Sequence, residues 1–272
     1  MRYSWTMAEV PEGAGLFAAQ LRFWRRKRGQ SQLDLSVAAD VSARHISFLE
    51  TGRAKPSEAM VLRLGKVLGL PLRERNTLLA AAGFAPAFAE PREVPAAIQA
   101  VLDDMLRRFE PCPVVVMDRC YNVLQANAAA LALFAVVFAE PTQDPPNMLH
   151  ALFDPKLARP FVRDWEALAR VMLTRLHERA LLTGDAEMRS LIAAMQAYPG
   201  VPANWREPDF SADGEPVQLL RLALPGGLEL AFTMLLTRFS ESRNVALDEL
   251  VIETYLPADP ATERFCGEFL RP

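Results

Sequence analysis

Three cations and several small polar residues fall within the stretch SVAADVSARHISFLETGRAKPS: Ser42, Ala43, Arg44, Ser47, Phe48, Arg53 and Lys55. A guanidinium such as that of Arg44 can bond O6 and N7 of one guanine together, and the ring of Phe48 can pack on a thymine methyl. Arg53 and Lys55 suit phosphate oxygens, which orient a protein on a duplex without reading its sequence. The chemistry on offer is recognition of double-stranded DNA. For each cation a solvated surface charge is the alternative, and for Phe48 a partly buried core position.

Other chemistries find little support. His45, His150 and His177 are too scattered for a metal site. Cys112, Cys120 and Cys266 form neither a C-x-x-C pair nor an even framework, so packing is their expected role and a reducing cytoplasm the natural compartment. A redox or metal role for Cys112 and Cys120 is the weaker alternative. No Ser-His-Asp, P-loop or G-x-G-x-x-G arrangement occurs, and Pro225-Gly226-Gly227 reads as a hairpin turn. No catalytic residue, metal or cofactor is expected. An enzyme with a DNA-binding head is retained as a competitor.

Two short helices joined by a tight turn would present the DNA-facing residues. Ser31 is a good N-cap for one helix, with Leu35, Ala38 and Ala39 inward, and Ser42 caps the next, with Ile46 and Leu49 inward. Ser42, Ala43, Arg44, Ser47 and Phe48 then project outward. The turn holds Asp40, a residue that tolerates the left-handed backbone. An earlier helix from about Ala14 to Arg28 carries Phe17, Leu21 and Trp24 on one face and ends at Gly29. A fourth carries Val61, Leu64, Gly65 and Leu68, and a fifth, Leu72 to Ala82, stops at Gly83. An all-α, five-helix domain is expected over residues 1–83.

Residues 14–75 hold twelve Lys/Arg against five Asp/Glu, a net of +7, which leaves −10 for the rest of a 272-residue chain whose formal total is −3. A basic module is attached to an acidic body, the pattern of one part that meets polyanions and one that does not. Pro86, Pro91 and Pro95 mark residues 84–94 as a Pro-rich linker. Within 95–272, Ile98 to Phe109 recur at helical spacing. PVVVMDRCYNVLQAN then reads as a hairpin feeding a helix at Ala128–Phe134. Helices follow around Trp165–Leu176 and from Asp185. VQLLRLAL, LELAFTMLLTRF and LDELVIETYLP return to strands, giving an α+β layer with helices on one side of a sheet. No apolar run approaches the roughly 20 residues of a membrane span and no signal-peptide core opens the chain, so no membrane partner and a cytoplasmic location are expected.

The stretch from Ser31 to Ser57 resembles the helix-turn-helix of the lambda-repressor-like, xenobiotic-response-element family of bacterial regulators. Ser31-Gln32 opens the second helix, Val41-Ser42 opens the recognition helix, and Leu49, Glu50, Gly52, Pro56 and Ser57 form its ending. The resemblance implies a recognition helix in the major groove. It also implies a phosphate held at Gln32 and the neighbouring amides, and a structural pair of Arg25 and Glu50. Gln30, Ser36 and Asp40 depart from the family's usual residues.

PVVVMDRCYNVLQANAAALALF looks like the opening of a PAS-like domain, in which a hairpin leads to a helix through an Asn such as Asn127. The order of parts resembles the MmyB-like regulators, which join such a helix-turn-helix to a PAS-like ligand-binding domain. A His-Pro-x-x-Gly feature of their late strands is absent, where this chain reads ALPGGLELAFTMLLTRF. The resemblance implies a small apolar cavity, with Val114, Val116, Leu222, Leu230, Phe232 and Met234 from the strands and Met172 from the helices as wall candidates. Strand alternation lets about half of the strand residues point inward, and a filled core is the alternative. The expected function is a sequence-specific transcription regulator, a homodimer on a double-stranded operator. Its affinity would be modulated by a small apolar ligand, with an acyl chain among the candidates. A ligand-independent regulator whose second domain only dimerises is the alternative.

Overall fold

The computed structural model describes residues 15–89, 94–137, 146–183, 185–206, 219–239, 242 and 244–270. The chain divides into two compact units, one of residues 1–91 with 242–245 and one of residues 92–241 with 246–272. No helix among the described residues is long and apolar enough to cross a membrane.

The first unit is helical: α1 (Leu16–Lys27), α2 (Gln32–Ala38), α3 (Ala43–Glu50), α4 (Glu58–Val67) and α5 (Leu72–Ala81). Its core gathers Phe17, Leu21, Trp24, Leu35, Ile46, Leu49, Val61, Leu64 and Leu78 from all five. Side-chain caps set three of the helix starts. Ser31 and Asp34 form a reciprocal capping box on α2, Ser42 Oγ accepts the His45 N–H, and Ser57 Oγ accepts the Met60 N–H. Between α2 and α3 the chain reverses through Asp40 at φ +52°, in the left-handed region. Gly65 on α4 lets α5 approach, because a Cβ there would meet Arg75 Cγ at 3.0 Å. Beyond α5 the chain folds back: Asn76 donates to the Phe88 carbonyl at 2.8 Å and accepts the Phe88 N–H at 3.0 Å. The proline-containing stretch is thus tied to α5 at least as far as Phe88.

The second unit begins with α6 (Ala96–Arg108) and the hairpin β1 (Val114–Met117) and β2 (Val123–Ala126), followed by α7 (Ala128–Val137). Then come α8 (Met148–Phe153), α9 (Trp165–Thr183), α10 (Ala186–Gln196), β3 (Leu219–Ala223), β4 (Glu229–Thr237), α11 (Val245–Glu249), β5 (Val251–Pro257) and α12 (Pro260–Phe269). The sheet runs β2-β1-β5-β4-β3 with antiparallel neighbours, so the last strand in the chain lies at its centre. This is an α+β fold of the PAS-like kind.

Both faces of the central strands are covered. Val114, Val116, Leu250 and Ile252 pack with Leu102 of α6 on one face. On the other, Val115, Met117, Leu222, Phe232, Val251 and Tyr255 meet α7, α8, α9 and α10. Asn127 fastens the hairpin to α7: its Oδ1 accepts the N–H of Val114 and of Ala130, and its Nδ2 donates to the Cys112 carbonyl. The LDEL portion of the expected third strand is instead mostly α11. The helix α12, which periodicity did not indicate, starts from Asp259 as N-cap with Pro260 at its first position.

Candidate nucleic-acid interface and apolar cavity

The recognition surface is built on α2 and α3. Ile46, Leu49 and Glu50 of α3 are buried, which leaves Ser42 and Arg44 exposed and Ala43, Ser47 and Phe48 half-buried on the outward side. The Arg44 guanidinium lies 5.1 Å from the centroid of the Phe48 ring, so the aromatic face supports the cation one turn away. Ser42 is partly committed, since its hydroxyl caps α3. Arg53 and Lys55 are exposed in the loop that follows. Phe48 thus occupies an intermediate position between its two alternatives, and its carbonyl accepts the Arg53 N–H at 2.9 Å.

Behind this surface Arg25 and Glu50 make a bidentate ion pair, with Nε–Oε1 at 2.6 Å and Nη2–Oε2 at 3.0 Å. The bond from Glu50 holds the Arg25 guanidinium's pKa above its ordinary value. Arg25 also donates to the Gln30 carbonyl at 2.7 Å, and Arg22 donates to the Glu50 carbonyl. Gln32 Nε2 donates to Glu50 Oε2 at 2.7 Å. An amide nitrogen carries two hydrogens, so one remains on Gln32 while the other locks it to α3.

In the second unit a partly enclosed cavity of about 70 Å³ lies between the helices and the inner face of the sheet. Leu133, Phe134 and Val137 of α7 form one wall, Met148 and Leu149 of α8 and Leu168 and Met172 of α9 another. The sheet supplies Leu220, Leu222 and Met234, with Glu253 and Tyr255 of β5 and Tyr121 of the hairpin turn. A larger cleft of about 950 Å³ near Pro155, Arg159 and Gly200 is open to solvent.

Of the strand and helix residues expected to line a cavity, Met172, Leu222 and Met234 do so. Val114 and Val116 do not, because the β1 run Val-Val-Val-Met is buried on both faces and these two point toward α6. Leu230 and Phe232 face inward but into filled core, where the Phe232 ring sits edge-on to Tyr255 at 6.3 Å. The cavity residues that sequence reasoning missed are the polar ones. Glu253, 8% exposed, is bonded by the Tyr255 hydroxyl at 3.1 Å. Burial pushes its pKa up to about 7, against the opposing effects of the Tyr255 bond and Arg175. Burial likewise raises the Tyr121 and Tyr255 phenols. Tyr121 holds a left-handed backbone, φ +66°, which is costly for a bulky residue.

Burial raises the pKa of all three free thiols, that of Cys120 and of Cys266 to about 12. His150 Nδ1 pairs with the Tyr198 hydroxyl at 2.8 Å, and His177 sits edge-on to Trp205. Among the described residues no group of three or more His, Cys, Asp or Glu is placed to hold a metal.

Residues 98–267 match the family described as the MmyB-like transcription regulator ligand binding domain, and residues 16–78 match a helix-turn-helix domain family. Neither is an enzyme family. No curated protein matches the chain. Among solved structures, the clp gene regulator ClgR from Corynebacterium glutamicum is 26% identical over 36% of this chain and 92% of that one, with a TM-score of 0.23. An RNA-binding light-oxygen-voltage receptor is 14% identical over 92% of this chain and 61% of that one, with a TM-score of 0.25. At these TM-scores neither likeness bears on function.

Proposed function

This chain belongs to the MmyB-like transcription regulators, with a DNA-binding helix-turn-helix and a ligand-binding domain, and we propose that a small, largely apolar molecule in the second unit sets its affinity for an operator. The observation that carries this reading is the partly enclosed cavity itself, a concavity lined mainly by apolar side chains with a few polar groups, as ligand pockets are. Three of its walls are methionines, Met148, Met172 and Met234, whose flexible side chains let an occupant enlarge it. Filling it in advance tests the reading. Met234→Trp should hold operator affinity at one value, with or without ligand, whereas the wild type responds. A variant that responds as the wild type does would place the ligand elsewhere.

On the DNA side, Arg44 is proposed to read bases and Ser42, Ala43, Ser47 and Phe48 to shape the contact. Arg53, Lys55 and Gln32 engage phosphates. Arg44→Ala should cost about 1–3 kcal/mol on the operator and little on random DNA, while Lys55→Ala weakens both by similar factors and flattens the salt dependence. Equal losses from both changes on both DNAs would remove Arg44 from base reading. One helix-turn-helix reads too few base pairs for a unique site, so the active form is proposed to be a homodimer with half-sites on the order of 34 Å apart. Footprinting in the same titration would reveal two protected half-sites; a single asymmetric one, with a monomer in sedimentation, would contradict this.

A further inference from the structure

The cavity is apolar except at one place, and that place constrains what can enter. Glu253 is on β5 and shares the cavity lining with Leu133, Met172, Leu222 and Met234. A carboxylate offers about four acceptor positions. Here one hydrogen bond reaches it, from the Tyr255 hydroxyl to Oε2, and among the described residues nothing bonds Oε1. Nor does any described cation lie within ion-pairing distance of it. The titratable and charged groups around this end of the cavity are Tyr255 on the same strand, Tyr121 on the hairpin turn, Arg175 and Arg179 on α9, and Arg238 after β4. None of the three arginines lines the cavity. Oε1 is thus an acceptor on the cavity lining with no protein donor among the described residues, and a guest that supplies a donor would complete it.

We propose that the molecule this cavity takes is an apolar body bearing a hydrogen-bond donor, an ammonium or hydroxyl group, and that Glu253 receives that donor. The inference rests on the reading that the cavity is a ligand site. Tyr121 and Tyr255 line the cavity beside Glu253. A guest ending in a carboxylate would instead bring a second negative charge against Glu253 in a low-dielectric wall, where repulsion is strong. At about 70 Å³ the cavity is roughly half the ~150 Å³ that accommodates benzene in an engineered core. The donor end and a short apolar segment therefore fit first, and a longer body requires the methionines to move.

Hexylamine, 1-hexanol and hexanoate share one chain and differ at the head, so they serve as probes. Titrated into the full chain labelled at its methionine methyls, they should shift Met172 and Met234. At pH 8, where Glu253 is ionised, hexylamine should bind at least about tenfold more tightly than hexanoate, with 1-hexanol between them. At pH 6 Glu253 is largely protonated and the gap should narrow several-fold. Glu253→Gln should close it at pH 8, and the wild-type pH comparison stands even if that variant folds poorly. Hexanoate binding as tightly as hexylamine at pH 8 would overturn the assignment, as would a gap that neither pH nor Glu253→Gln alters. If the probes bind with the wrong order, the ligand-site reading survives and this inference does not. If none of the three shifts either methionine, both fall.

Discussion

Replacing Glu50 with alanine should lower the stability of the helical unit by about 3–5 kcal/mol, the range for removing one partner of a buried ion pair. Glu50 is 1% exposed and accepts from Arg25 at two oxygens and from Gln32 at one. Its loss strands the Arg25 guanidinium between α1 and α3 with only the Gln30 carbonyl left. It also frees Gln32 from α3, so DNA affinity should fall more than stability alone explains. The double change Arg25→Met with Glu50→Leu should recover most of the stability, because matched apolar side chains carry no desolvation cost. Urea denaturation of the full chain, read through hydrogen exchange in α1 and α3, measures both. A loss from Glu50→Ala below about 1 kcal/mol, the range of an exposed pair, would show that the contact is solvent-screened.

Glu253 should make the second unit less stable as pH rises from about 4.5 to about 7. In the unfolded chain a glutamate titrates near its ordinary value, whereas burial in the fold raises it to about 7. Between those values the folded state binds more protons than the unfolded state, so the stability of the fold declines with pH and levels off above 7. A separation of this size corresponds to about 3 kcal/mol. Glu253→Gln carries no titrating group and should show no such slope from this position. The difference between wild type and variant, followed by denaturation at several pH values, isolates the one carboxylate from the rest. Parallel curves across the window would mean that Glu253 is already solvated or paired in the fold.

Much of this was legible in the chain. The caps at Ser31 and Ser42 and the left-handed Asp40 are local features, so residue type and spacing located them, whereas the Arg25–Glu50 pair followed from the resemblance to the helix-turn-helix family. The hairpin leading into α7 was visible from its β-rich runs, and the place of Asn127 in it from the PAS-like resemblance. The cavity was harder. Its walls come from strands and helices far apart in the chain, and the β1 run of four apolar residues has no alternation from which to choose a face. Sequence therefore could not separate Val115 and Met117, which face the helices around the cavity, from Val114 and Val116, which face α6. Glu253 did leave a trace: a carboxylate inside the apolar run LVIETYLP, two residues from Tyr255 and so on the same side of the strand. The helix α12 left another, the Asp259-Pro260 start.

The measurement that bears most directly on ligand-controlled DNA binding is the affinity of the full chain for a duplex selected from a random pool, determined without and with saturating 1-hexanol. Coupling between two sites typically amounts to about 1–3 kcal/mol, or 5- to 150-fold, and it is reciprocal. The account predicts a shift of that size, an equal factor in the affinity for 1-hexanol when the duplex is bound, and no shift in Met234→Trp. If 1-hexanol moves the Met172 and Met234 methyls yet leaves operator affinity unchanged in either direction, the second unit is a scaffold rather than a sensor.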